Sequence, residues 1–241
     1  GDSAVSGFEA LGIAWILLSL ASAAWIAVNA ATLLAEAMPV MKAAWVAFAL
    51  LAGPIAVGLY LASYHGRPKR THEGMTMWER PIWAQTISAT VMMFGFDMLL
   101  MCLAVFAVAY FGFPTIPMTG PFYWVGTSMF LMMVLMYVVA LVAMMLVFHT
   151  PMTMHERKIR SYWRAFVVGL PIMLATMTVE SIGMMPTMWW AQMLYLPAMQ
   201  MPTADDITMW VTLVMAVAVG FLVVLPFNYW AVRRGLKMGT M

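Results

Sequence analysis

Charge is what this chain has least of: Asp, Glu, Lys and Arg make up 9% of its 241 residues, against about 25% in a soluble domain. That scarcity excludes a water-facing surface over most of the molecule, and with it an acidic or basic tail and a nucleic-acid patch. The single cysteine, Cys102, excludes an internal disulfide framework or thiolate cluster. The sequence has no glycine-rich phosphate loop, nucleophile elbow, Cys/His catalytic pattern or His-Glu-x-x-His run, which argues against an enzyme. No charged front followed by a small-residue cleavage site marks a signal peptide, so the first apolar run is expected to be retained.

What is there instead is apolar: 64% of the residues are hydrophobic. The apolar runs are 8–35, 40–63, 83–112, 122–148, 162–185 and 207–232, each long enough to cross a bilayer core at about 20 residues per helix. Lipid offers backbone groups no hydrogen-bond partner, so these runs must be helices. The expectation is an all-α integral membrane protein, a single domain over 1–241 with about six transmembrane helices. Eleven of the twelve basic residues fall between runs two and three, after run four, or after run six, and only Lys42 falls elsewhere. The positive-inside rule therefore puts these segments and both termini on the cytoplasmic side. Trp78, Trp83, Trp163 and Trp230 then mark the inner boundary, and Trp45, Trp124, Trp189, Trp190 and Trp210 the outer one. Arg67, Lys69, Arg70, Arg157, Lys158 and Arg160 are placed to meet anionic lipid headgroups. His65, His72, His149 and His155 lie in the same two cytoplasmic loops as solvated or headgroup-facing residues. Segment 186–206 is too apolar for an ordinary loop and reads as a helix lying flat in the interface, with Asp205 and Asp206 capping the last span.

Asp97 sits midway along the third span with no predicted Lys, Arg or His inside the hydrocarbon to pair with it. An intramembrane carboxyl is a functional candidate, although a hydrogen-bonded structural role is the leading expectation for it. Glu180, in the outer part of span five beside Thr176, Thr178 and Ser181, has a weaker signal. Methionine is the most unusual component, with 29 copies. Met129, Met132, Met133 and Met136 form one helical stripe, Met173, Met177 and Met184 another, and Met93, Asp97 and Met101 share a face by four-residue spacing. Met184, Met185, Met188, Met193, Met199 and Met201 gather at the outer boundary. Packing is the first explanation, because methionine fills irregular helix contacts. The alternative is a Cu(I) site from Met93, Met101, Met173, Met177 and Met184 with Asp97 and Glu180 setting its charge, since soft thioethers suit Cu(I). No cofactor is otherwise implied.

The stretch Ala49-Leu-Leu-Ala-Gly-Pro-Ile-Ala, the Thr71-His72-Glu73 loop and Leu225-Pro-Phe-Asn-Tyr-Trp-Ala-Val followed by Arg234-Gly-Leu-Lys-Met-Gly resemble a bacterial membrane family known as a domain of unknown function, number 4396. The resemblance runs from about Ala43 to the C-terminus and implies a multi-helix protein of the bacterial inner membrane, sometimes associated with genes for copper proteins, without an established activity. It also implies a His-Cys pair before the span-three aspartate and a glutamate early in span five. Met92, Met93 and Met173 stand at those positions here, and Asp97 is kept. Asn228, in the C-terminal motif, is expected to be a helix-packing hydrogen-bond partner. The leading functional expectation is a non-catalytic accessory or structural subunit of a larger membrane protein complex, with membrane lipids as its other partners. A Cu(I)-handling protein comes second. A proton- or cation-coupled transporter centred on Asp97 comes last, for want of a second mid-membrane ionisable group.

Overall fold

A computed structural model describes residues 2–34, 39–67, 69–72, 75–111, 134, 137–195 and 207–237. Among them the chain is helical apart from one short hairpin. Helix α1 (Asp2–Leu33) is followed by α2 (Pro39–Ala52) and α3 (Pro54–Tyr64), then by strands β1 (Lys69–His72) and β2 (Met75–Trp78), and by α4 (Ile82–Phe111). A π-helical stretch, Met144–His149, leads into α5 (Thr150–Glu156), with α6 (Tyr162–Tyr195) and α7 (Ile207–Arg233) completing the fold. Four segments among the described residues are long and apolar enough to cross a membrane: Ala10–Leu33, Tyr137–Met154, Tyr162–Met188 and Val211–Arg233. Stripes Met129 to Met136 and the segment 196–206 lie outside the described residues.

The run expected as one span at 40–63 is two helices, because Gly53 and Pro54 interrupt the backbone ladder. The indole Nε1 of Trp15 on α1 donates to the Leu51 carbonyl at 2.8 Å, supplying a partner beside the break. Helix α1 packs against α2, and its small residues Ser22 and Ala23 are buried. Trp45, expected at the outer boundary, is instead fully buried. Its ring meets Tyr60 at 5.5 Å and Tyr64 at 5.9 Å between centroids, edge to face, and its Nε1 donates to the Tyr64 hydroxyl at 3.3 Å. An aromatic cluster that satisfies its own polar edge has no need of the interface.

The loop after α3 is an antiparallel hairpin, with Lys69 opposite Trp78 and His72 opposite Met75. It is anchored where Trp78 packs edge-on to Tyr64 and the Arg80 guanidinium lies 4.6 Å over the Tyr64 ring. Burial pushes the Arg80 pKa down, and the Tyr64 side chain works against that shift. The interfacial helix expected from residue 186 is not separate over its described part: α6 runs through Pro171 and Pro186 to Tyr195. Near the second proline the Thr187 hydroxyl donates to the Gly183 carbonyl at 2.8 Å, and such local bonds let a membrane helix carry a proline. Helix α4 packs on α2 and α7, α6 pairs with α7, and α5 lies on α6. The interior polar groups collect where α4, α6 and α7 converge.

Candidate functional site

Helical spacing puts Thr90, Met93 and Asp97 on one face of α4. Asp97 and Glu180 are each about 4% exposed, and their side chains hydrogen-bond each other. Asp97 Oδ1 and Glu180 Oε2 are buried with no hydrogen-bond partner among the described residues. Two carboxylates are acceptors only, so this contact requires a proton between them. Sequence reading placed the two in different contexts, Asp97 alone at mid-membrane and Glu180 among interfacial hydroxyls. The fold brings them together.

Below the pair, Asn228 of α7 is fully buried. Its Nδ2 donates to Thr90 Oγ1 at 2.9 Å, and its Oδ1 accepts from Lys237 Nζ at 2.9 Å. The expected packing role of Asn228 is therefore present, extended by a lysine. Lys237 also lies 3.9 Å from Met93 Sδ. It reaches this position because α7 ends in a Schellman turn: Leu236 N–H donates to the Ala231 carbonyl at 2.9 Å and Gly235 N–H to the Val232 carbonyl at 3.0 Å. Gly235 has φ +68, which folds the chain back under the bundle. Nothing lies within 4 Å of where a Cβ would sit on Gly235, so substitution there acts through the backbone alone, at about 1 kcal/mol. Gly235→Ala is expected to loosen the turn and expose Lys237, read as several-fold faster tryptic cleavage at that residue.

Burial pulls the Lys237 ammonium down to about 8, while Glu180 and Asp97 act in the opposite direction. In the unfolded chain this lysine keeps its proton to about 10.5. Between those values the unfolded state binds more protons, so stability should rise with pH from about 8 to about 10.5. Below that window the charge-burial penalty is fully present. Thermal melts of the detergent-solubilised protein should show this rise, and Lys237→Met should flatten it.

A cavity of about 60 Å³ opens on the same side. Met92 and Met93 of α4, Met144 and His149 of the π-helical stretch, Met152 of α5 and Met173 of α6 line it together with Lys237 and Arg157. His149, expected in a solvated loop, is thus inside the fold. The π-helical register turns it inward, and Gly169 leaves room for it: a Cβ there would stand 2.7 Å from the imidazole Cδ2 and 2.9 Å from Nε2.

The sequence candidates divide accordingly. Met93 and Met173 border the cavity, whereas Met177 and Met184 are buried in the apolar core. The Met101 side chain lies outside the described residues. Among the lipid-facing candidates, Lys69, Arg157, Lys158 and Arg160 are exposed, Arg67 is half-buried over the Trp83 ring at 5.6 Å, and Arg70 has no described side chain. Among the described residues no group of three His, Cys, Asp or Glu side chains is placed to hold a metal. Glu180 as the partner of Asp97, and Lys237 and His149 as interior groups, were missed. Gly235 just past a basic helix end was the available signal for the chain reversal.

Apolar helices around a buried polar centre define a multi-pass helical membrane protein. The chain belongs to the DUF4396 family, a domain of unknown function, which it matches over residues 82–237. That stretch contains Thr90, Asp97, His149, Glu180, Asn228 and Lys237, and leaves α1 to α3 outside. No curated protein and no solved structure matches the chain.

Proposed function

We propose that this protein is a proton-coupled membrane carrier in which the Asp97–Glu180 pair holds and releases the coupling proton. The observation that carries the reading is the buried hydrogen bond between two carboxyls inside the bundle. Ionisable residues in the membrane interior are costly and mark ion or proton pathways, and a second such group is what the sequence alone lacked. Lys237, tied to Asn228 from the end of α7, supplies a tethered positive charge on one side of the pair. The accompanying topology keeps the basic segments, including the end of α7, on the cytoplasmic side of a bacterial inner membrane, which places Lys237 at the inner end.

The test is flux. Purified protein in liposomes with an entrapped pH dye should dissipate an imposed pH gradient faster than protein-free liposomes. Equal rates in both, under either membrane-potential polarity, would remove the proposal. The accessory-subunit reading draws on the exposed apolar helix faces, but lipid covers such faces equally well. A stoichiometric partner in mild-detergent pull-downs, with no flux from the isolated chain, would favour it instead.

A further inference from the structure

We propose that the cavity between α4, the π-helical stretch and α6 is a binding site for one soft monovalent metal ion, Cu(I) or Ag(I), with methionine thioethers and the His149 imidazole as donors. The site stands apart from the carboxyl pair, which does not line it, and does not depend on the carrier reading.

Methionine alone would be packing. Here, however, five flexible methionines, Met92, Met93, Met144, Met152 and Met173, surround about 60 Å³ that they leave unfilled. His149 adds a second, independent signal. Its imidazole Nε2 is buried with no hydrogen-bond partner among the described residues. A neutral imidazole with an unengaged nitrogen beside thioethers is able to ligate a metal. An unsatisfied buried nitrogen is costly without a ligand. The π-helical register from Met144 to His149 is a further departure from regular helix of the kind found at functional sites.

The donor chemistry selects the ion. Thr153 is the one hydroxyl in the lining, too little oxygen for Mg²⁺ or Ca²⁺, which take six or more oxygen ligands. Sulfur and imidazole favour Cu(I). Two cationic side chains share the lining, but Arg157 points to solvent and bonds the Leu236 carbonyl at 3.5 Å. The Lys237 ammonium is engaged by Asn228 and offset by Asp97 and Glu180.

The experiment titrates reduced, full-length protein in detergent with Cu(I) against a chromogenic chelator, repeated with Ag(I). One saturable equivalent is expected, with sulfur and nitrogen neighbours in the copper absorption spectrum. Met93→Leu with Met173→Leu keeps side-chain volume and should weaken binding at least ten-fold, as should His149→Gln. Met144→Leu serves where the double variant does not fold. Met177→Leu and Met184→Leu, which change core methionines, should leave binding intact, as should a triple replacement of His65, His72 and His155. Absence of a saturable site, binding that survives the cavity variants, or binding lost with the loop histidines would each overturn the proposal. Absence of proton flux from the unmodified protein in liposomes, with Cu(I) binding present, would remove only the carrier reading.

Discussion

Asp97→Asn is expected to reduce proton flux in liposomes to the protein-free leak while the protein remains folded. Asparagine is nearly isosteric with aspartic acid, and its amide can donate to Glu180, so the contact across α4 and α6 survives in form. What disappears is the exchangeable proton. Glu180→Gln should do the same from the other side. Asp97→Ala would differ, leaving Glu180 buried without its partner; a lost buried hydrogen bond of this kind costs about 1–3 kcal/mol, so lower thermal stability should accompany the loss of flux. If both isosteric variants retain normal flux and melting temperature, the pair is structural and the carrier reading falls. The double variant Asp97→Asn with Glu180→Gln separates the roles further: two amides can still pair, so stability should fall by less than the alanine variant while flux stays absent.

The sequence discloses the solvent far better than the interior. Apolar run length and the placement of basic residues lead to a multi-pass helical protein, because lipid imposes one rule on every span. Pairing between spans has no such local signature. Asp97 and Glu180 are 83 positions apart (180 minus 97), and nothing in their flanking residues indicates which helix faces meet. Trp45 went to the wrong environment for a related reason: a tryptophan near a predicted span end fits an interfacial belt, until Tyr60 and Tyr64 from α3 fold back on it. His149 was misplaced because a regular α-helical count does not anticipate the π-helical register beginning at Met144. Lys237 was the most recoverable of the missed groups. A glycine two residues beyond Arg233 is a helix stop with a known reversal, and the reversal carries the next lysine inward. The methionine stripes show the opposite failure: stripe spacing grouped Met173 with Met177 and Met184, while the cavity groups Met173 with Met93 and Met144 across three elements.

Gly95→Ala should produce the largest stability loss of any single methyl addition to this bundle. A Cβ on Gly95 would collide with the Ala44 carbonyl oxygen and stand 3.0 Å from both the Ala44 carbonyl carbon and Cα. These are backbone atoms of α2, so no rotamer change can yield, and relief requires moving α2 away from α4. That shift would also disturb Trp45 and Phe48, whose rings are buried beside the contact. Overpacking in a tight interior costs about 1–3 kcal/mol and sometimes more, and the upper end is expected here. A lowered melting temperature in detergent checks it, with Gly58→Ala as the control. Gly58 lies within α3 with nothing within 4 Å of an added Cβ, so alanine there should be neutral or stabilising by up to about 1 kcal/mol through helix propensity. Gly220→Ala tests the same logic on α7: its added Cβ would meet chiefly the side chain of Met184, which can swing aside, so the loss should be smaller than at Gly95. If Gly95→Ala and Gly58→Ala melt alike, α2 and α4 do not pack at this distance, and the placement of Asp97 opposite Glu180, which depends on the position of α4, is weakened with it.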